Sequence, residues 1–75
     1  MNNMRRSQIK QAKLLLNQAK VILEKVRNEE ENCFDNLPEG LQQTMRGEQM
    51  EENVDLLDES VDNINSAIDN IDDIL

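Results

Sequence analysis

The sequence predicts an all-α fold: one antiparallel helical hairpin over residues 1–75, coiled-coil-like, with two long helices joined by a structured corner. Three observations carry this. The second half places apolar residues by fours and threes, the two halves carry opposite charge, and the turn-forming residues cluster between Phe34 and Glu48. The expected boundaries are helix 1 over about 4–33, a corner over 34–47 and helix 2 over about 48–75.

The second helix has the stricter pattern. Val54, Val61, Ile68 and Leu75 take heptad position a, and Met50, Leu57, Ile64 and Ile71 take d. A seam of this period, flanked by polar residues, packs a helix on another helix, whereas a strand would alternate every second residue. The first helix is looser. Ile9, Leu16 and Leu23 occupy a, and Ala12, Ala19, Val26 and Cys33 occupy d, until Glu30 interrupts the a series. Gln, Lys, Leu, Ala and Arg dominate this segment, and all are good helix formers.

Charge sets the expected orientation. Residues 1–28 hold seven Lys/Arg and one acid, and residues 29–75 hold fifteen acids and one base, within a chain of net charge −8. Lys13, Lys20 and Arg27 stand at e in helix 1, while Glu51, Asp58 and Asp72 stand at e in helix 2. Antiparallel helices set e against e, so the opposite charges favour an antiparallel pair. The g side carries Leu15, Ile22, Ala67 and Ile74, too apolar for a solvated edge. It predicts a second sticky face of the kind four-helix bundles use, and hence a homodimer or a complex with another protein.

The corner holds the only proline, both glycines and the only aromatic residue. Pro38 is tolerated in the first turn of a helix and pushes Leu37 toward extended backbone, and Asp35 and Asn36 are turn and cap formers. The first helix should therefore end before Leu37, with a short helical turn from Pro38 through Leu41. Phe34, Leu37, Leu41 and Met45 are expected to fold inward and plug the hairpin's end. Gly47 is expected to let helix 2 start close against helix 1, or to mark a break before it.

Catalysis has little to work with. The chain has no His, no glycine-rich phosphate loop and no Ser or Cys beside a base. No catalytic, cofactor-binding or metal-binding residues are expected, and the chain does not read as an enzyme. Cys33, the only cysteine, has no partner for a disulfide or a thiolate metal site and is expected to be buried or idle. Asp55, Asp62 and Asp69 form an acidic column, but DNIDDI lacks the glycine turn and Glu spacing of a calcium loop. No apolar run approaches the ~20 residues that span a bilayer, and Met4–Leu16 has no uninterrupted apolar core of a signal peptide. The expectation is a soluble, cytoplasmic chain.

The run FDNLPEGLQ, followed by RGEQMEENVDLLDESVDNI, resembles a family of very small acidic helical proteins of bacteria and their phages. Glu31, Phe34–Gln42 and Arg46–Glu52 carry the resemblance, which covers roughly residues 29–75. It implies a phage or mobile-element setting and brings no catalytic residues. The expected function is a non-enzymatic protein–protein interaction module that binds, and thereby inhibits, a host or defence protein. Two alternatives stand beside it. One is a nucleic-acid mimic whose acids, Asp55, Asp62 and Asp69 among them, occupy a basic groove. The other is a purely structural homo-oligomeric bundle. Direct nucleic-acid binding by the basic first helix is not expected, because it has no aromatic residue to stack on bases.

Overall fold

A computed structural model describes all residues, Met1–Leu75, as a rod of 58 × 15 × 13 Å. Three helices follow in order: α1 over Asn3–Asp35, α2 over Glu39–Gln42 and α3 over Met45–Ile74. The two long helices lie against each other and the one-turn α2 bridges their ends, so the hairpin is the one the sequence predicts. No strand is present.

Each helix end has a local cause. Asn2 caps α1, its side-chain oxygen accepting from the Arg5 N–H at 2.8 Å. At the far end the Asn36 and Leu37 N–H groups still bond to the Asn32 and Phe34 carbonyls, at 3.0 and 3.1 Å. Pro38 follows, with no N–H to continue the ladder. Its carbonyl instead starts α2, accepting from the Leu41 and Gln42 N–H groups at 2.8 and 3.1 Å. Thr44 caps α3: its hydroxyl accepts from the Gly47 N–H at 3.5 Å and donates to the Leu41 carbonyl at 2.5 Å. The Gln42 amide donates to the Phe34 and Leu37 carbonyls at 3.1 and 3.3 Å, which ties α2 to the end of α1.

The corner is tighter than the spacing predicts. α1 runs on to Asp35 and α3 begins at Met45 rather than near residue 48, because Thr44 supplies a cap. Starting there puts Met45 on the side away from the seam, where it is 86% exposed. Leu41 is 50% exposed, because the inward side of the one-turn α2 is taken by the half-buried Gln42. Phe34 and Leu37 are half-buried, so the plug consists of these two and not of four residues. Gly47 marks no break, and the nearest backbone it meets is that of α2. It lies in the first turn of α3 and is the one buried residue of the chain. A Cβ built there would sit 2.2 Å from the Gln42 carbonyl oxygen, so glycine is what allows the α3 backbone to meet the α2 backbone.

Side chains alone join the long helices, since every backbone hydrogen bond outside the helical ladders spans four residues or fewer. In α3 the predicted a and d residues, Met50 through Leu75, are all half-buried. In α1 the seam is rotated from the predicted one. Ile9, Leu16, Ala19 and Leu23 are half-buried as predicted, but Ala12, Val26 and Cys33 are exposed, and Lys13, Lys20 and Arg27 are half-buried beside the seam. Alanine at d offers little area to bury, whereas the long aliphatic stems at e cover the seam and deliver their charges to its rim. Cys33 is therefore an exposed thiol, not a seam residue.

Gly47→Ala is expected to lower stability by roughly 1–3 kcal/mol, because the new methyl meets backbone that cannot rotate aside. Gly40, where an added Cβ meets nothing within 4 Å, is the control. Gly40→Ala is expected to be neutral or stabilising by up to about 1 kcal/mol. Thermal melts followed by circular dichroism at one protein concentration check both.

Candidate functional site

The rod has two unlike long sides, and the ion pairs locate one of them. The Lys13 ammonium meets Asp72 at 2.5 Å, and the Arg27 guanidinium meets Asp58 at 2.8 Å. Both are e-on-e pairs, as the antiparallel arrangement requires. Fourteen residues up α1, from Lys13 to Arg27, are matched by fourteen down α3, from Asp72 to Asp58, which fixes the register over two heptads. The same register sets Lys20 level with Asn65. Arg27 also pairs with Glu31 on its own helix. Its pKa is raised above the ordinary guanidinium value, first by the hydrogen bond to Asp58, against partial desolvation, and further by the charges of Asp58 and Glu31. Near the N-terminus the Arg6 guanidinium donates to the Leu75 carbonyl at 3.2 Å.

The predicted acidic column lies on this charged side, but its members do not converge. Asp55, Asp62 and Asp69 are all exposed and, at seven-residue steps, stand about 10 Å apart along the helix. Asp55 borders a shallow groove of about 380 Å³ with Arg27, Glu31, Phe34 and Asp58. Asp62 borders a second one with Glu24 and Arg27, and Asp69 borders neither. No group of three Asp, Glu, His or Cys side chains is placed to hold a metal ion.

The opposite side carries the g stripe. Leu15 and Ile22 are 57% and 61% exposed, Ile74 is 47% exposed, and Ala67 is half-buried. The register sets Leu15 level with Asn70 and Ile22 with Asn63, so that Ala67 and Ser60 lie three residues, about 4.5 Å, nearer the corner. Two further aliphatic residues stand on this side. Val26, predicted inward at d, is exposed here, and so is Leu56 at c. Together with Glu30, Asn53, Leu57 and Ser60 they line a shallow groove of about 330 Å³. Glu30, which breaks the a series in the sequence, accepts a hydrogen bond from the Asn53 amide at 2.9 Å, and Asn53 accepts one from Gln49 at 3.0 Å. The misfit in the heptad is thus a satisfied polar layer.

This side is also free of charge over most of its length. In α3 every c and g position from Gln49 onward is neutral: Gln49, Asn53, Leu56, Ser60, Asn63, Ala67, Asn70 and Ile74. In α1 the d and g positions from Gln8 to Val26 are neutral as well. The signal was present in the sequence, as an absence of acids in a strongly acidic helix.

No protein-family model, curated protein or solved structure matches the chain. The structure assigns its residues to two surfaces, one charged and one neutral with exposed aliphatic side chains.

The e-on-e pairs are expected to set orientation more than stability, each contributing roughly 0–1 kcal/mol at exposed positions. Asp72→Lys sets like charges together and is expected to lower the melting temperature. Adding Lys13→Asp to that variant is expected to recover most of the loss. The recovery is expected to shrink between low salt and ~1 M salt as screening grows. Melts of the two single variants and the double variant at both salt levels check this.

Proposed function

We propose that the chain is a non-enzymatic protein-interaction module, which works by laying its neutral long face against another helical surface. One observation carries the reading: the hairpin buries no apolar side chain at all, while Leu15, Ile22, Val26, Leu56 and Ile74 stand exposed along one face or its edge. A chain this short needs something beyond its own core to be stable. A monomeric hairpin would leave its aliphatic residues on both sides of the seam in water. Burying one such side chain stabilises by roughly 1.5–3 kcal/mol, so covering the neutral face is a large gain for a fold this small.

The charged side then remains free for a partner of opposite sign. The resemblance of the corner to small acidic phage and bacterial proteins fits a module that occupies the surface of a host or defence protein. The phosphate-mimic alternative has weaker support. Asp58 and Asp72 are already neutralised within the chain, and residues 63–68 hold no acid. That gap is about 10 Å of helix, against one phosphate charge per ~3.4 Å of a nucleic-acid strand.

The association reading predicts a melt that depends on what covers the face. Ile22→Asp, outside the α1–α3 seam, is expected to cost at least about 2 kcal/mol where association operates. An isolated monomer that melts cooperatively at nanomolar concentration, and whose melt Ile22→Asp leaves unchanged, would sink the reading.

A further inference from the structure

We infer that the neutral face is covered by a second copy of this chain, in a four-helix bundle whose twofold axis runs along the rod, so that α1 of each copy lies across from α3 of the other and both corners are at the same end. The inference rests on the association reading above and names its partner.

Surface area gives the first argument. The chain exposes 5683 Å². A compact folded monomer of its mass would expose about 4,700 Å². The excess is roughly 1,000 Å², close to the ~800 Å² that each partner contributes to a standard interface. One partner hairpin on one face absorbs that excess.

Charge gives the second argument. Two copies of a chain with net charge −8 repel unless they meet where acids are missing. Outside its seam with α1, the c and g positions of α3 are the only lengthwise strip of that helix without an acid, and they share a side of the hairpin with the neutral strip of α1. A basic partner would be met by acids instead, and the acids lie on the other side. A neutral face on an acidic chain therefore fits a partner that is itself acidic, and a second copy is such a partner. The twofold axis sets Leu15, Ile22 and Val26 within three residues, about 4.5 Å along the rod, of level with the partner's Ala67, Ser60 and Leu56, in a self-complementary contact.

The rim selects between the two possible axes. With the axis along the rod, heights along the bundle are kept. The register of the Lys13–Asp72 and Arg27–Asp58 pairs then brings Lys25 within one residue of level with the partner's Glu59. Gln18 falls near the partner's Ser66 and Gln11 near the partner's Asp73, so no like charges meet. With the axis across the rod, α3 would lie on α3, and a midpoint near residue 66 would set Glu59 against the partner's Asp73 twice. Lys25 is free to serve, since its bond to Glu29 on the same helix is long, at 3.9 Å, and 76% of its side chain is exposed.

Sedimentation equilibrium and electron–electron distance measurement on the full chain test this together. The expected mass is twice the 8.7 kDa of the chain. Leu15→Asp, with Leu15 outside the hairpin seam, is expected to weaken the dimer by roughly a hundredfold or more, since the change is made in both copies. Lys25→Glu is expected to weaken it less, and adding Glu59→Lys should restore it. Within one copy these two residues lie on opposite outer edges, so that rescue is read only across an interface. A nitroxide on the native Cys33, in labelled protein confirmed to remain dimeric, should give a distance under about 30 Å for corners at the same end. For corners at opposite ends the helix rise gives about 42 Å. A long distance, or no rescue by the double variant, overturns the arrangement. A monomer at 100 μM overturns the inference altogether. If that monomer also melts cooperatively, and Ile22→Asp leaves its melt unchanged, the association reading falls with it, whereas a monomer without a cooperative melt removes only the second copy as the partner.

Discussion

Two cylinders touch along a line and enclose no volume. That constraint governs this molecule. Helix axes pack about 8–10 Å apart, so a residue on the contact line of a two-helix hairpin has a neighbour on one side and water on the others. Hence the seam of α3 is regular and apolar from Met50 to Leu75, and yet none of it is buried. The single buried residue is a glycine at the corner, the one place where a third element closes over the seam. A third or fourth helix is the general solution, because it converts a line of contact into an enclosed core.

Within that limit, the hairpin is specified by charge and by its corner rather than by core packing. The e-position pairs select the antiparallel orientation but only weakly the register, since sliding α3 by one heptad would exchange Lys13–Asp72 and Arg27–Asp58 for Lys20–Asp58 and Arg27–Glu51. Heptads such as VDLLDES and VDNINSA are similar enough for such a slip to be a real competitor. The Glu30–Asn53 bond adds a polar layer that also discriminates registers. The corner does the same by length: α2, Gln42 and Gly47 leave no slack to be redistributed.

Much of this was legible in the sequence. The all-α hairpin, its orientation, the e-on-e pairs, the end of α1 before Leu37 and a short turn after Pro38 follow from period, charge and the proline. What was not legible has a common cause. The a/d assignment of α1 treated Lys13, Lys20 and Arg27 as flanking charges, although their stems are aliphatic and longer than the side chains of Ala12 and Ala19. The rotation this permits moved Val26 and Cys33 outward. At the corner, spacing put Leu41 and Met45 on an inner face, but a cap at Thr44 started α3 early and turned Met45 away. Of the site, the g stripe was readable from its apolar residues and Leu56 from its c position, while Val26 joined it only through that rotation.

The distribution of amides in α3 bears on what the neutral face is for. Aspartate and asparagine have nearly the same size and shape, and both solvate a helix surface. If solubility alone shaped α3, acid and amide would serve equally on either side of it. Instead Asp55, Asp58, Asp62, Asp69 and Asp72 fall at b and e, whereas Gln49, Asn53, Asn63 and Asn70 fall at c and g. Asn65 is the exception at e, and it is half-buried at the level of Lys20. What separates the two groups is charge without shape, and charge matters most where another surface approaches and water is displaced. An amide buried in a contact needs a hydrogen-bond partner. A carboxylate there needs a cation, and two acidic chains meeting face to face have few to offer.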